Sequence, residues 1–196
     1  MKPAGLEKTL VLVKPDALKR GIAGELISRF EKAGLKMVGM KMVSADEKLA
    51  EEHYPVTDDW YLKVGNNTLS DCKKYAINAK ETMGTDDPMV IGKMVGKWNM
   101  DFLMSGPVVA IIFEGNHAIE NVRNIVGSTI PTLAAPGTIR GDYSLESAIS
   151  ANSRKRAVYN LIHASGTPDE AEREIKLWFT PKEMHNYQRI EEILYG

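Results

Sequence analysis

Three cations of this sequence have the residue types and positions needed to bind a phosphate chain. Lys14 ends an apolar run, and Arg123 and Arg140 lie before and within a loop rich in Gly, Pro and Thr. Guanidinium groups match phosphate oxygens in pairs, whereas an ammonium group acts as a point charge. Each charge-assisted hydrogen bond is worth roughly 1.5–3 kcal/mol, so three converging cations would bind a nucleotide di- or triphosphate. Any one of them alone is more commonly a solvated or salt-bridged surface residue.

His163 is the candidate nucleophile or base. It follows the apolar run 158–162 and precedes Ser165 and Glu174. An unperturbed imidazole has a pKa of about 6.5, so near pH 7 it is largely neutral and able to attack an electrophile or accept a proton. A carboxylate from the next helix could orient the ring, as in a catalytic triad. An isolated histidine at a strand end more often has a structural role, and three others lie in polar helical contexts that place them outside the site: His53, His117 and His185.

Composition and missing motifs narrow the function classes. The phosphate-binding P-loop, the dinucleotide fingerprint, the zincin motif and the hydrolase nucleophile elbow are all absent. Lys and Arg number 25 against 26 Asp and Glu, a net charge of −1, which argues against a protein that coats nucleic acid or a membrane surface. The single cysteine, Cys72, cannot form an internal disulfide or a cysteine zinc site. Apolar runs are too short for a signal or membrane segment, so we expect a cytoplasmic protein.

Apolar periodicity predicts the elements that would position these residues. Strands are expected over 9–13, 35–43 with a bulge near Gly39, 107–113 and 158–162. Helices are expected over 21–32, from a Ser44 and Glu47 capping box to about 54, over 117–126, and from a Thr167 cap to about 179. Residues 55–99 are broken by Pro, Gly, Asn and Asp, with weak helical spacing over 89–98. The order predicts an α/β sandwich of split β-α-β character, equally compatible with antiparallel and parallel pairing.

Short motifs follow one another in an order that matches a known family. They are Val13-Lys14-Pro15-Asp16, Glu52-His53-Tyr54, Ser105-Gly106-Pro107-Val108-Val109, Pro136-Gly137-Thr138-Ile139-Arg140-Gly141-Asp142 and Asn160-Leu161-Ile162-His163-Ala164-Ser165. The spacings from Arg123 to Thr129 to Arg140, and from His163 to Ser165 to Glu174, belong to the same pattern. With these motifs the chain resembles the nucleoside diphosphate kinases over roughly residues 6–58, 100–145 and 158–184.

The resemblance implies a ping-pong phosphotransferase with a ferredoxin-like βαββαβ sandwich and an antiparallel sheet, to which we expect this chain to add an inserted helical segment. A nucleoside triphosphate would donate its γ-phosphoryl group to His163, and the phosphohistidine would pass it to a nucleoside diphosphate. Glu174, Ser165 and Tyr54 would support the ring, and the phosphates and ribose would be held by Lys14, Arg123, Thr129, Arg140 and Asn160. The resemblance also implies Mg²⁺ held mainly by the nucleotide phosphates, a hexamer or tetramer of identical chains, and no membrane or nucleic-acid partner.

The chain departs from the family pattern in three places. Within a single domain over residues 1–196, we expect insertions at about 62–99 and 143–158, the second of which carries the basic triplet 154–156. That triplet is either a solvated charge run or a contact to phosphates or a neighbouring subunit. Gly166 replaces a common acidic residue, and Thr167 can serve as the N-cap in its place.

The resemblance also implies an aromatic side chain that stacks on the nucleotide base. The candidates are Trp60 and Tyr61, with Trp60 favoured, and stacking alone would tolerate every base.

Two other function classes compete with the kinase. A nucleotide-binding or oligomeric scaffold would keep the fold without chemistry, but it would have no use for a histidine surrounded by cations. A single-strand nucleic-acid binder would need exposed aromatics and a basic face. The chain has 3 Trp, 7 Tyr and 4 Phe and a charge of −1, which makes that reading the weakest.

Overall fold

The computed structural model describes residues 5–54 and 57–190 and is built on one antiparallel sheet. The strands are β1 (Leu6–Val13), β2 (Lys36–Val43), β3 (Val108–Asn116) and β4 (Ile162–Ala164). They lie in the order β2-β3-β1-β4, and every neighbouring pair is antiparallel. This is the ferredoxin-like arrangement, so the predicted fold class is confirmed. The apolar periodicity was compatible with both parallel and antiparallel pairing, and the strands are antiparallel.

Ten helices connect or flank these strands in the described part of the chain. They are α1 (Pro15–Lys19), α2 (Ala23–Lys32), α3 (Glu47–His53), α4 (Asp58–Lys74), α5 (Ala79–Met83), α6 (Pro88–Met104), α7 (Ala118–Val126), α8 (Ile139–Tyr143), α9 (Ala148–Ser153) and α10 (Pro168–Trp178). Short 3-10 turns occur at Pro131–Leu133 and Pro181–Glu183. Within the described residues, none of these helices combines the length and apolar character needed to cross a membrane.

The sheet is buried on both faces, which explains the continuous apolar run at the end of β1. Val11 packs in one core cluster with Phe30 of α2 and Val122 of α7. Leu12 packs in the opposite cluster, with Trp178 at the end of α10. Because successive side chains of a strand point to opposite faces, a strand covered on both sides needs apolar residues at every position. Because β1 is buried on both faces, its place in the sheet is fixed. The residue that follows β1 is therefore held at a defined position at the end of the strand.

Several predicted boundaries are confirmed and others are wrong. The bulge in β2 is present as a register shift between Met37 and Gly39. The Thr167 hydroxyl caps α10 by accepting a hydrogen bond from the Glu170 amide, as predicted. The cap of α3 is Asp46, whose carboxylate accepts from the Leu49 amide at 2.8 Å. The predicted Ser44 cap is therefore wrong, because Ser44 lies two residues before the position where the backbone enters the helix.

The last predicted strand, 158–162, is also wrong, and the difference moves the candidate nucleophile. The strand begins at Ile162, so His163 lies inside it, opposite Leu12 of β1. Before that point the chain turns sharply, because Leu161 has a φ of +68°. Its amide donates to a carboxylate oxygen of Asp16, and its carbonyl accepts from the Lys14 amide. A left-handed bulky residue is strained, and such strain persists where the surroundings fix it, often at functional sites.

Residues 55–99 contain the predicted inserted helical segment, in the form of α4, α5 and most of α6; Pro55 and Val56 lie outside the described residues. Helices α4 and α6 pack with their backbones in close approach. A Cβ on Gly65 would lie 1.9 Å from the Pro88 carbonyl oxygen, and one on Gly92 would lie 2.0 Å from the Tyr61 carbonyl oxygen. The glycines that obscure the helical period are therefore needed for helix packing.

Candidate active site

A cavity of about 1020 Å³ brings together residues that are far apart in the sequence. It lies where β1 ends and β4 begins, beside the first turns of α4 and the loop after α7. Every predicted site residue lines it except Ser165 and Tyr61: Lys14, Tyr54, Trp60, Arg123, Thr129, Arg140, Asn160, His163 and Glu174. The fold thus places the three predicted cations and the histidine around one cleft.

The His163 ring is held by a buried carboxylate. Its Nε2 lies 2.9 Å from Oε2 of Glu174, and the Ser165 hydroxyl donates to the same oxygen at 2.6 Å. Ser165 is fully buried behind the ring, where its oxygen also accepts the Leu10 amide. A carboxylate only accepts, so Nε2 carries the proton and Nδ1 keeps its lone pair. Among the described residues, Nδ1 has no hydrogen-bond partner.

Burial sets the ionisation of this pair. Loss of solvent is the largest cause that holds the pKa of His163 well below its usual range, and the charge of Lys14 adds to the effect. Burial likewise raises the pKa of Glu174, whereas the neighbouring His53 and the hydrogen bond from Ser165 lower it. The imidazole is therefore neutral at physiological pH, which is the state that a nitrogen nucleophile needs.

His53 belongs to the site, so the interpretation that leaves it outside is wrong. It is 2% exposed, and its ring meets the His163 ring edge-on at 4.5 Å between centroids. Its Nδ1 accepts the Trp178 indole N–H at 3.3 Å and lies 3.6 Å from Oε1 of Glu174. Burial holds the pKa of His53 well below its usual value. The polar residues around His53 in the sequence face solvent, while His53 itself points inward. Its place in the Glu52-His53-Tyr54 motif was the sequence feature that could have assigned it to the site.

Lys14 and Asn160 form a buried polar pair on the wall of the cavity. The Lys14 ammonium donates to Oδ1 of Asn160 at 2.9 Å, and Nδ2 of Asn160 donates to the Thr129 carbonyl at 2.9 Å. Burial, and then the charge of Arg140, lower the pKa of Lys14 to about 8. The amide orients the ammonium without neutralising it. The charge of Lys14 is therefore available to an anion in the cleft.

Arg140 is bound by carbonyl oxygens alone. Its guanidinium donates to the carbonyls of Asn160 at 3.1 Å, Gly127 at 2.9 Å and Ile162 at 2.6 Å. No described carboxylate forms an ion pair with it. Burial, and then the charge of Arg123, lower its pKa to about 10, so it remains charged near neutral pH. Its geometry is fixed by neutral acceptors, and the charge of Asp16 offsets its positive charge only in part.

The remaining predicted residues lie around the mouth. Arg123 and Thr129 are exposed, and Tyr54 is half-buried with burial raising the pKa of its phenol, which keeps the hydroxyl protonated. Trp60, in the first turn of α4, lines the cavity and has the position of a stacking platform. Tyr61 is outside the lining, because its side chain packs against α6. Of the two aromatic candidates, the structure brings Trp60 to the cleft.

The described residues of the cleft do not form a dedicated magnesium site. Among the described residues, the one cluster of three potential metal ligands is His53, His163 and Glu174, with ligand atoms within 4.8 Å of one another. Imidazoles suit zinc or copper better than magnesium. Magnesium prefers oxygen ligands, retains waters and binds largely through substrate phosphates. The cleft would therefore accept a magnesium ion that is held mainly by the phosphates of the nucleotide and not by protein side chains.

Fold and cavity together define a class: a ferredoxin-like α/β protein with a carboxylate-held histidine in a cationic cleft. A family model described as nucleoside diphosphate kinase matches residues 7–62 and 91–184. A nucleoside diphosphate kinase of Pyrobaculum aerophilum is 46% identical over 179 residues, which are 91% of this chain and 98% of that protein. The chain belongs to the nucleoside diphosphate kinase family, and the predicted resemblance and enzyme class are confirmed.

Solved structures agree. The crystal structure of an NDP kinase from Pyrobaculum aerophilum superposes with a TM-score of 0.87 at 45% identity, covering 92% of this chain and all of that one. A transition state mimic of the Borrelia burgdorferi kinase, with bound vanadate and ADP, has a TM-score of 0.79 at 38% identity and covers 97% of this chain and 96% of that one. The family model leaves 63–90 unmatched, yet a 97% match includes most of that segment. The α4–α5 region is therefore shared with some relatives.

Proposed function

We propose that this chain transfers the γ-phosphoryl group of a nucleoside triphosphate to a nucleoside diphosphate through phosphorylated His163. The observation that carries the proposal is the 2.9 Å contact between Nε2 of His163 and Glu174, which leaves Nδ1 as the reactive nitrogen. In the first half-reaction, the Nδ1 lone pair attacks the γ-phosphorus, the bond to the bridging oxygen breaks, and the diphosphate leaves with that electron pair. In the second, a terminal oxygen of another diphosphate attacks the phosphorus and the N–P bond breaks.

The proton balance of this cycle is simple. The Nε2 proton stays between His163 and Glu174 throughout, so no separate acid or base is needed at the reacting nitrogen. As the N–P bond forms, the imidazole gains positive charge, and the adjacent carboxylate stabilises it. The Ser165 hydroxyl helps to keep that carboxylate ionised and in place. Glu174 and Ser165 are thus positioning residues, since they act through the ring.

Three cations supply the charge complement for the phosphates. In phosphoryl transfer the protein mainly positions the reactants and neutralises charge on the phosphoryl oxygens. Lys14 and Arg140 are buried and oriented, and Arg123 is exposed at the mouth. Thr129 and Asn160 offer hydrogen bonds near the same end of the cleft, with Tyr54 beside the ring. Mg²⁺, bound to the nucleotide phosphates, would supply further neutralisation of their oxygens.

We extend the proposal to assembly, compartment and domain organisation. Exposed Met40 and Met42 on the edge strand β2, and exposed Leu133, support association of identical chains as a hexamer or tetramer. Light scattering of the purified protein measures the assembly. The single buried cysteine supports a reducing compartment, the cytoplasm. The packing of α4 against α6 supports one kinase-like domain carrying additions at about 62–99 and 143–158.

The experiment is to incubate the protein with Mg²⁺ and γ-labelled ATP without an acceptor, and to follow acid-labile label on the protein. We expect label that a nucleoside diphosphate removes, and no label in the variant His163→Ala, which still binds nucleotide because the cations remain. His185→Ala is the matched control, since His185 is exposed and is not part of the cleft lining. Turnover retained by His163→Ala would disprove the mechanism. A folded wild-type protein that takes no label would favour the scaffold.

A further inference from the structure

One corner of the cleft holds three metal-ligating side chains that come from three different elements. They are His53 at the end of α3, His163 in β4 and Glu174 in α10, and all three line the cavity. Each offers one ligand atom, and the three atoms lie within 4.8 Å of one another. Two imidazoles and one carboxylate, with water in the fourth position, are also the zinc ligands of several metalloproteases. The corner therefore has the ligand types and number of a zinc site.

The contact between His53 and Glu174 is not a hydrogen bond. Nδ1 of His53 lies 3.6 Å from Oε1 of Glu174, which is too long for one. Because this Nδ1 accepts the Trp178 indole N–H at 3.3 Å, it carries a lone pair and the ring proton is on Nε2. That Nε2 is buried and has no hydrogen-bond partner in the described part of the chain. A lone pair thus lies beside a carboxylate oxygen with no proton between them, an arrangement that a cation would stabilise.

The observed distances are close to those within a zinc site. With bonds of about 2.0–2.2 Å, two ligand atoms of a tetrahedral zinc ion lie about 3.3 Å apart. Nδ1 of His53 and Oε1 of Glu174 are 3.6 Å apart, and Nε2 of His163 and Oε2 of Glu174 are 2.9 Å apart. Both pairs differ from the zinc spacing by about 0.3–0.4 Å. The His163 side chain is 15% exposed, so an ion in the cleft can reach the cluster.

We propose that His53, His163 and Glu174 bind one Zn²⁺ and that the bound ion blocks phosphorylation of the protein. Zinc binding does not depend on the proposed function, whereas the block rests on it. Nε2 of His163 coordinates through a lone pair, so the proton that it carries in the metal-free protein moves to Nδ1. Protonated Nδ1 has no lone pair with which to attack phosphorus. No electron is transferred and no proton is lost, since the step is a change of tautomer coupled to coordination.

The surroundings of the cluster favour zinc over magnesium. The charges of Lys14 and Arg140 act on the His163 ring, and they repel any metal ion placed there. Only an ion that bonds strongly to imidazole overcomes this repulsion, and zinc does so better than the harder Mg²⁺ and Mn²⁺. Magnesium prefers oxygen ligands and stays with the nucleotide phosphates. Zinc should therefore inhibit at concentrations where magnesium supports the reaction.

The first experiment measures metal binding without nucleotide. Co²⁺ serves as the probe, because four- and five-coordinate cobalt gives strong visible absorption bands that the hydrated ion lacks. We expect one Co²⁺ per chain, displaced by one Zn²⁺ and not by Mg²⁺. Loss of a group that only supports a metal ligand costs 10–100-fold in affinity, so His53→Gln, which removes a ligand, should weaken zinc binding at least about tenfold. His185→Ala, which changes an exposed histidine outside the cleft lining, is the matched control and should bind zinc like the wild type.

The second experiment measures label transfer from Mg²⁺ and γ-labelled ATP to protein that has been equilibrated with buffered zinc. Zinc that saturates the site should slow the transfer at least about tenfold, and a chelator should restore it. His185→Ala should be inhibited at the same zinc concentration as the wild type. In His53→Gln, half-inhibition should need at least about tenfold more zinc, whatever the uninhibited rate of that variant.

Each outcome decides the proposal. Absence of stoichiometric cobalt and zinc binding to the wild type would overturn it without reference to any variant. Zinc affinity unchanged in His53→Gln would place the ion elsewhere and would also overturn it, as would undiminished label transfer at saturating zinc. If the zinc-free wild type took no label, the proposed function would fail, while the cobalt spectrum and the zinc stoichiometry would still test the metal site.

Discussion

The carboxylate behind the histidine gives a sharp test of the mechanism, because Glu174→Gln removes its charge and keeps its shape. Oε2 of Glu174 accepts hydrogen bonds from the His163 ring at 2.9 Å and from the Ser165 hydroxyl at 2.6 Å. The residue is fully buried, so solvent cannot replace the lost charge. Glutamine can place its carbonyl oxygen at the same point, but only as a neutral acceptor. If its amide nitrogen faces the ring instead, Nε2 must accept and the proton moves to Nδ1, which then cannot attack.

The magnitude follows from the charge that develops on the ring. A hydrogen bond to a charged group is worth roughly 1.5–3 kcal/mol, about twice a neutral one. This contact strengthens as the imidazole becomes cationic, and glutamine retains only the neutral bond, so the net loss of about 0.8–1.5 kcal/mol slows phosphorylation about fourfold to tenfold, at about 1.4 kcal/mol per factor of ten. A tautomer switch would slow it further, by up to about 10⁴-fold in the analogous aspartate-to-asparagine change of a serine protease. Nucleotide affinity should change little, since the cation paired with Glu174 is Arg173 and not Lys14, Arg123 or Arg140.

Rapid-quench measurement of label transfer from γ-labelled ATP to the protein gives the rate directly, and nucleotide titration gives the affinity. Glu172→Gln is the matched control, because Glu172 lies on the same helix and pairs with Lys176 on the exposed side. We expect the control to match the wild type. A Glu174→Gln protein that is phosphorylated within threefold of the wild-type rate would refute the role assigned to the carboxylate.

Four further predictions concern charge and packing. The lowered pKa of Lys14, about 8, means that its ammonium loses its proton as the pH rises through 8, so kcat/KM should fall above that pH and the fall should move to higher pH in Lys14→Arg. The pKa of His163, held well below its usual range, keeps the ring neutral in mild acid, and phosphorylation rates that fell with an apparent pKa near 6.5 would contradict this. Gly92→Ala should destabilise the protein by about 1–3 kcal/mol in urea unfolding, because its Cβ would lie 2.0 Å from the Tyr61 carbonyl oxygen. Gly24→Ala, with open space around it inside α2, should instead stabilise by up to about 1 kcal/mol.

Local signals in the sequence account for much of the fold. Lys14 could be placed at a sheet edge because an apolar run ends there in Lys-Pro, and the start of α10 could be placed because Thr167 and Pro168 are typical of a helix N-terminus. These features depend on neighbours in the chain. The position of His163 did not follow in the same way. The run 158–162 is apolar because it is buried, but the turn at Leu161 depends on hydrogen bonds to β1 and Asp16, which lie far away in sequence.

The inserted helices show why helix-breaking residues can hide a helix from a periodicity pattern. Helix α4 contains Gly65, Asn67 and Asp71, which weaken any helical pattern when they are judged by propensity. In the structure, Gly65 permits close packing on Pro88, while Asn67 and Asp71 line the cavity. Gly65 therefore serves a tertiary contact, and the two polar residues face the cavity. Helix propensity measures neither, so the pattern indicated an irregular segment where a 17-residue helix forms.

The buried cations connect stability to function. Lys14 is oriented by an amide and Arg140 by three carbonyl oxygens, and neither has a described carboxylate as an ion-pair partner in the cleft. Burying a charge costs free energy, and the lowered pKa values of Lys14 and Arg140 express that cost, which the charge of Asp16 offsets only in part. A core selected for stability alone would pair or remove these charges. In the proposed function, the phosphates of a bound nucleotide would supply negative charge, so the groups that lower the stability of the free protein would stabilise the complex. Two of the three carbonyls that hold Arg140 belong to Asn160 and Ile162, next to His163, so one stretch of backbone helps to position both the charge and the nucleophile.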